Sequence, residues 1–217
     1  MATTSGGSAA HPGASRRADA KRHQILVAAR EVFLDRGFAG ASMDEVAARA
    51  GASKVTVYAH VRDKRSLFEA VVQEAIDEAE ESTRDLVGAL GESHDLPSEL
   101  RAFARAHVRE VLQPHLVRMR RLIIAESPRF PELAQAWHRG GPVRGHATLA
   151  GAVARLAERG MLSAPDPLLA AQHLNYLILA VPLNEAMFTG VDAPYGPRKL
   201  NRFADEGVRV FLAAYAA

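Results

Sequence analysis

Ser42-Met43-Asp44-Glu45-Val46-Ala47-Ala48-Arg49-Ala50-Gly51-Ala52-Ser53-Lys54-Val55-Thr56-Val57-Tyr58-Ala59-His60 is the stretch whose reading decides the fold. Ser42 and Glu45 match the S-x-x-E capping box, in which the serine oxygen serves the amide three residues on and the glutamate reaches back. The helix they open runs through Val46, Ala47 and Ala50 to Gly51, and Ser53 caps a second short helix that ends near His60. Two short capped helices joined by a glycine turn are the helix-turn-helix layout, in which the second helix lies in a major groove and the first crosses the backbone. On the second helix Val57 and Val61 are four apart and point to a core with Ala47 and Phe33. Its other face shows Ser53, Lys54, Thr56, Tyr58 and His60, donors and a cation suited to phosphate oxygens and base edges. Helix amino termini carry partial positive charge, which places Ser42 and Lys64 to hold phosphates. A surface helix pair with polar outer residues is the competing reading. A solvated face favours Glu, Lys and Gln, whereas this one has Tyr58 and His60 and no acid from Ala50 to Arg62.

Working outward, helical spacing starts at Ala18, with Ile25, Ala28, Ala29, Val32 and Phe33 on one face, and Gly37 stands where a helix stops. Before it, residues 1–17 are read as a disordered arm of Ser, Thr, Gly and Ala with a basic end. Arg16, Arg17, Lys21 and Arg22 could lie along DNA or enter a minor groove; a solubilising tail is an equal alternative. On the other side Asp63 caps a long helix reaching Leu90, roughly 40 Å at the rise of an α-helix. The remainder reads as helices over 100–112, 116–125, 131–139, 143–158, 167–188 and 200–215, with breaks at Pro114, at Gly140-Gly141-Pro142 and over Gly190 to Pro197. No β-branched alternation spans five positions. The expected fold is all-α, about nine helices: a helix-turn-helix domain over 18–65, joined by the long helix to a second domain over 66–217.

The 217 residues are 48% hydrophobic, 24% charged and 6% aromatic, which suits a globular chain with a real core. With no cysteine, disulfides, thiolate metal sites and cysteine nucleophiles are excluded. No apolar run reaches the ~18 residues of a membrane helix, and the first residues lack a signal-peptide core, so a soluble cytoplasmic protein without membrane contact is expected. The net charge of +2 is unevenly placed: residues 1–65 and 100–217 are basic, and 66–99 is strongly acidic, with Arg84 its one base. A basic amino-terminal end points to an anionic partner, most simply nucleic acid.

The string Ile25-Leu26-x-Ala28-Ala29, Phe33, Gly37-Phe38, Ser42-Met43-Asp44-x-Val46-Ala47, Ala50-Gly51-x-Ser53-Lys54-x-Thr56-Val57-Tyr58-x-His60 and Lys64-x-x-Leu67-Phe68 resembles the DNA-binding domain of TetR-family transcriptional regulators. Val61, where many members have phenylalanine, and Val55, often glycine, depart from the pattern; the bulkier Val55 can alter sequence preference. The resemblance implies that Thr56, Tyr58, His60 and Lys64 act largely on phosphates, that Ser53, Lys54 and Val55 lie nearest base edges, and that Ser42 and Met43 anchor the first helix of the motif. Arg121-Leu122-Ile123-Ile124-Ala125-Glu126-Ser127-x-Arg129-Phe130-Pro131-Glu132-Leu133 resembles the carboxy-terminal domain of the AefR-like subgroup, which implies packing for Phe130 and a structural Arg/Glu network.

The second domain holds no H-E-x-x-H, G-x-S-x-G or G-x-G-x-x-G and no pair of His at ligand spacing, so neither an enzyme, a metal site nor a cofactor is expected. TetR-like proteins dimerise through this region and enclose a small-molecule pocket there. The nearly all-apolar helix from Leu168 to Phe188 needs cover on most faces, which nominates Leu174, Leu177, Ile178, Val181, Phe188, Phe203 and Phe211 for a two-fold interface. Polar or aromatic residues inside apolar helices nominate His107, Met119, Trp137, His146, His173, Asn175, Tyr176, Asn184 and Met187 for the pocket, and its ligand is expected to be an apolar or aromatic small molecule. The reading is a homodimeric repressor of a near-palindromic operator, released by that ligand through a shift of the long helix. Rivals are a helical binding or catalytic protein without operator contact, and an activator of the same family.

Overall fold

The structure, a computed structural model, describes residues 12–88, 90 and 95–217, with side chains from Arg16 onward. The described chain contains ten α-helices: α1 (Pro12–Gly40), α2 (Met43–Arg49), α3 (Lys54–His60), α4 (Lys64–Gly88), α5 (Leu96–Val111), α6 (Pro114–Glu126), α7 (Pro131–His138), α8 (Arg144–Glu158), α9 (Pro167–Phe188) and α10 (Pro197–Tyr215). Among these residues there is no strand, only an isolated antiparallel bridge between Leu162 and Ala216. No described helix is long and apolar enough to cross a membrane. The expected arm falls partly outside the described residues, over 1–11; its remainder is helical, because α1 begins at Pro12 rather than Ala18.

α7 and α9 start at the prolines where the sequence places them, and α5, α6 and α10 start earlier than expected for the same reason. Prolines occupy the first turn of α5, α6, α7, α9 and α10, where the missing N–H is unpaired anyway and φ is already helical. Pro114 and Pro197 therefore belong to the helices they were expected to precede. Gly140-Gly141-Pro142 is no break either: Arg139–Val143 forms a π-helical turn that passes the chain from α7 to α8.

The chain divides into two compact units, the first ending at Val71 and the second beginning at Val72. The first contains α1, α2, α3 and the opening turns of α4. Its core is Ile25, Val32, Phe33, Val46, Val57, Leu67 and Phe68, all at most 1% exposed. Phe33, Phe38 and Phe68 form an aromatic cluster with ring centroids 5.0–6.1 Å apart. α1 bends where Gly37 takes φ 68°, a conformation that costs glycine nothing.

In the second unit α9 packs against α8 and α10, and α10 against α5. Its core joins Leu100, Phe103 and Val108 of α5, Leu149, Val153 and Leu156 of α8, Leu174 and Ile178 of α9, and Val208 and Phe211 of α10. Arg105 clasps Asp205 through two 2.7 Å hydrogen bonds, fixing α5 to α10. Phe130 is buried, as its motif implies. Arg121 of that motif pairs with Asp192 rather than a glutamate and donates to the carbonyl of Ala186 in the last turns of α9 and to that of Val191 just beyond it.

Candidate nucleic-acid interface and ligand cavity

Both serines cap their helices as the sequence dictates, whereas the Glu45 carboxylate, expected to reach back to the start of α2, pairs with Arg36 at 3.4 Å and Arg49 at 3.6 Å instead. Ser42 Oγ accepts from the Glu45 amide at 3.1 Å, and Ser53 Oγ accepts from the Thr56 amide at 3.0 Å while sharing a 2.8 Å hydrogen bond with the Thr56 hydroxyl. The turn between them is a Schellman closure. The Ala52 amide donates to the Ala47 carbonyl at 3.0 Å, the Gly51 amide to the Ala48 carbonyl at 3.2 Å, and Gly51 takes φ 54°. Val57 and Val61 are buried, which turns Lys54, Val55 and Tyr58 outward. Val55 is 81% and Tyr58 44% exposed; Ser53 is exposed, and Thr56 and His60 are half-buried.

The cations of this unit are used in a way that the sequence did not reveal. Lys21 Nζ donates to the carbonyls of Ala50 and Gly51, each at 3.2 Å, at the end of α2. Arg22 reaches the His60 carbonyl at the end of α3 at 3.4 Å. Lys64 Nζ donates to the Ala39 and Ala41 carbonyls at 3.2 and 2.9 Å, at the end of α1, and lies 4.8 Å from the centre of the Phe38 ring. Each basic group thus meets the negative end of a helix whose last carbonyls lack intrahelical partners. Two of Lys64's three N–H bonds are engaged, so its expected phosphate role is at most secondary to closing α1. Met43 is only 8% exposed; it anchors α2 by packing, and its side chain does not reach the outer face. Arg16 and Arg17 are exposed on α1. An unforeseen anion shares the outer face: Asp44 pairs with Lys54 at 2.8 Å and holds the ammonium above its ordinary pKa through that hydrogen bond.

In the second unit α4, α5, α6, α7, α8, α9 and the π turn surround a cavity of about 190 Å³. Of the nominated residues, His107, Trp137, His146, Asn175 and Tyr176 line it. His107 is buried and bonded to Asn175 at 2.9 Å; burial pushes its imidazole below the ordinary value, against the pull of that bond. Burial also lowers His146, whose ring sits 5.7 Å from that of Tyr176. Four nominees do not contribute. Met119 is fully buried in packing, His173 bonds the Tyr215 hydroxyl elsewhere, Asn184 donates back to Ala180 within α9, and Met187 packs against the core of the unit. The walls also include Thr83, Glu110, Arg120 and the π-turn residues Gly141 and Pro142. Arg120 had no sequence signal of its own, because it stands in a run with Arg118 and Arg121.

The nominated interface is also corrected. Leu174, Ile178 and Phe211 have no exposed surface within a single chain, so they build the unit's own core and cannot meet a partner; half-buried Phe203 packs its ring at a tilt against that of Tyr195. Leu177, Val181 and Phe188 remain outside, with Phe188 85% exposed. They extend a stripe that starts at Leu169, includes Tyr176 and continues to Val210 on α10, and that borders a shallow groove lined by His173, Leu177, Val210, Ala214 and Tyr215.

Residues 25–71 match the family model for bacterial regulatory proteins of the tetR family, and residues 98–217 match that of the AefR-like transcriptional repressor carboxy-terminal domain. Among solved structures, a TetR-family transcriptional regulator from Mesorhizobium loti MAFF303099 superposes with a TM-score of 0.88 at 37% identity, over 93% of this chain and 99% of that one. The flavonoid-responsive regulator FrrA superposes with a TM-score of 0.71 at 29% identity, over 91% of this chain and 98% of that one. Among curated relatives, the HTH-type transcriptional activator FasR of Mycolicibacterium smegmatis is 43% identical over 88 residues, which span 41% of this chain and 39% of that protein.

Proposed function

The chain belongs to the TetR family of DNA-binding transcriptional regulators, and from that premise we propose that it is a homodimeric repressor which a small, mainly apolar molecule releases from a near-palindromic operator in the cytoplasm. In this reading each α3 enters a major groove, with half-sites about one turn (~35 Å) or a multiple apart. Ser53, Lys54 and Val55 approach base edges, and Thr56, Tyr58, His60 and the Ser42 end of α2 meet phosphates. Arg16 and Arg17 extend the contact along the backbone, while Lys21, Arg22 and Lys64 hold the motif rigid. The stripe Leu177, Val181, Phe188 and Val210 meets its two-fold copy.

The observation that carries the ligand-controlled reading is the cavity itself, because α4 forms one of its walls. Ala79 and Thr83 of α4 line it. Ile76 of the same helix packs so closely on Gly140 of the π turn that a Cβ there would lie 2.3 Å from Ile76 Cγ2. Arg144 at the start of α8 pairs with Glu80 at 2.7 Å. A ligand among these groups presses on the helix that begins at Lys64, and it releases DNA only if it binds the non-binding arrangement more tightly.

The test starts with selection of bound duplexes from a random pool. A symmetric pair of half-sites and two chains per duplex are expected; a single asymmetric site bound by one chain overturns the dimer. Tyr58→Phe should then weaken all duplexes alike. Lys54→Ala should change preference at one base pair by ~1–3 kcal/mol, and uniform weakening would move Lys54 to the backbone. The name of FasR favours a second reading, an activator that holds the same site with ligand bound. Reporter expression falling on deletion of the gene would support it over repression.

A further inference from the structure

Two residues that line the cavity each carry a donor that the protein does not satisfy. Arg120 Nη1 and Trp137 Nε1 are both buried from solvent without a hydrogen-bond partner, and both residues line the same space. Buried polar groups are nearly always paired, and a buried guanidinium cannot escape by losing its proton. The other walls are mostly apolar, from Val87, Phe103, Leu116, Leu149 and Leu179. The remaining polar groups are largely occupied. His107 and Asn175 satisfy each other, Thr83 donates to the Ala79 carbonyl, and Glu110 accepts from Gln113. His107 and His146 are both biased toward the neutral form, so neither competes as the cation of the site. Burial likewise lowers Arg120, and no carboxylate, Glu110 included, acts to raise it.

We infer that the cavity is built for a monoanionic amphiphile, a compact aromatic or aliphatic acid whose carboxylate accepts from Arg120 Nη1 and Trp137 Nε1 while its apolar body lies against Phe103, Leu149 and Leu179. The inference rests on the ligand-controlled reading above and narrows its effector from apolar to acidic. A charged acceptor makes stronger hydrogen bonds with a guanidinium than a neutral one, and the low-dielectric walls strengthen them further. An amine would instead place its charge beside Arg120 and would have only Glu110 to meet it.

The chain has one tryptophan, so its emission reports on the cavity directly. The full-length protein is titrated with 1-naphthoic acid, with its methyl ester and with 1-naphthylmethylamine, all at neutral pH, and binding is read from Trp137 emission and by calorimetry. The acid is expected to bind at least tenfold more tightly than either analogue. Arg120→Gln should erase that preference while leaving the ester's affinity within about twofold, and Arg120→Lys should retain part of it. An ester or amine that binds the unaltered protein as tightly as the acid overturns the inference and leaves the cavity a ligand site. Failure of all three to bind overturns the ligand-controlled reading on which it rests. The comparison on the unaltered protein needs no variant, so misfolding of Arg120→Gln does not protect the inference.

Discussion

Lys21 and Lys64 in the first unit and Arg120 in the second are all half-buried cations, and their surroundings differ sharply. The two lysines have carbonyl oxygens within 3.2 Å at the ends of α2 and α1, whereas Arg120 holds a nitrogen away from water with no partner. The first unit is complete as it stands: three helix ends are closed by cations, an aromatic cluster fills the centre, and the outer face of α3 presents a fixed set of groups. The second unit contains a cavity, two of whose lining residues, Arg120 and Trp137, each keep a polar atom unmatched. Such an asymmetry suits one unit that presents an unchanging surface to DNA and another whose equilibrium a small molecule can move. A rigid reader needs no ligand to be assembled; a sensor has to gain stability when its ligand arrives.

The largest effects should come from testing which residues belong to the second unit's core and which to its outer stripe. Phe211→Ala removes a ring with no exposed surface and should cost about 3–5 kcal/mol of unfolding free energy. Val181→Asp changes a side chain that is 56% exposed; it should leave the isolated chain folded and abolish the dimer. Urea unfolding and sedimentation, run on both variants, check this. A folded but monomeric Phe211→Ala protein, or an unfolded Val181→Asp protein, would reverse the assignment of the two faces.

Next in size is the closing of α1. Lys64→Met keeps the stem of the side chain and loses two hydrogen bonds to carbonyls, an expected cost of about 2 kcal/mol, seen as a lower melting temperature of the first unit. DNA affinity should fall because less of the motif is folded, and it should recover at low temperature. A variant with unchanged melting but weaker DNA binding and a shallower salt dependence would return Lys64 to a direct phosphate role.

What could be read from the chain was whatever closes within four residues. Ser42 with Glu45, Ser53 with Thr56 and Gly51 after Ala50 each declare a local geometry, and the helix-turn-helix follows from them. Lys21 gave no such signal because its partner carbonyls at Ala50 and Gly51 lie 29 and 30 residues away. A neighbouring Arg22 made the pair look like a DNA-seeking arm. α9 shows the complementary difficulty. A helix apolar all round has no polar side to mark its outer face, so Leu174 and Ile178 were as good interface candidates as Leu177 and Val181 until α8 and α10 covered the first two. The cavity was half legible: His107, Trp137 and His146 stand out in apolar surroundings, but Arg120 lies in a run of arginines, and only the fold separates it from Arg121, which pairs with Asp192.

A smaller effect follows from the sealed imidazole of the second unit. Burial depresses His107, Asn175 and Glu110 pull its pKa up, and His146 pushes it further down. The folded chain therefore keeps this ring neutral at pH values where the unfolded chain already binds a proton. The associated stability is whole above the ordinary imidazole value and declines as pH falls through that value toward the depressed one. Urea midpoints at pH 7.5 and 5.5 should differ in the unaltered protein, and His107→Gln should remove part of that difference, His146 retaining the rest. Equal differences in both proteins would show that His107 does not hold its proton off.

The finest test returns to the outer face of α3, where the comparison between a satisfied and an unsatisfied cation can be turned round. Lys54 is exposed, yet Asp44 at 2.8 Å occupies it and adds an anion to the surface proposed to meet DNA. Asp44→Asn removes that anion and frees Lys54 for DNA. The pair is solvent-exposed, so its own contribution is small. Affinity for any duplex should rise by roughly threefold, and by less as salt screens the lost repulsion. Fluorescence anisotropy against a selected and a scrambled duplex reads both quantities. Equal gains on the two duplexes mean that Asp44 acts only through charge. A gain confined to the scrambled duplex means that the Asp44–Lys54 pair aims the lysine at a particular base, and that the carboxylate trades affinity for selectivity. No gain on either duplex would place Asp44 and Lys54 off the DNA face and force a different docking of α3.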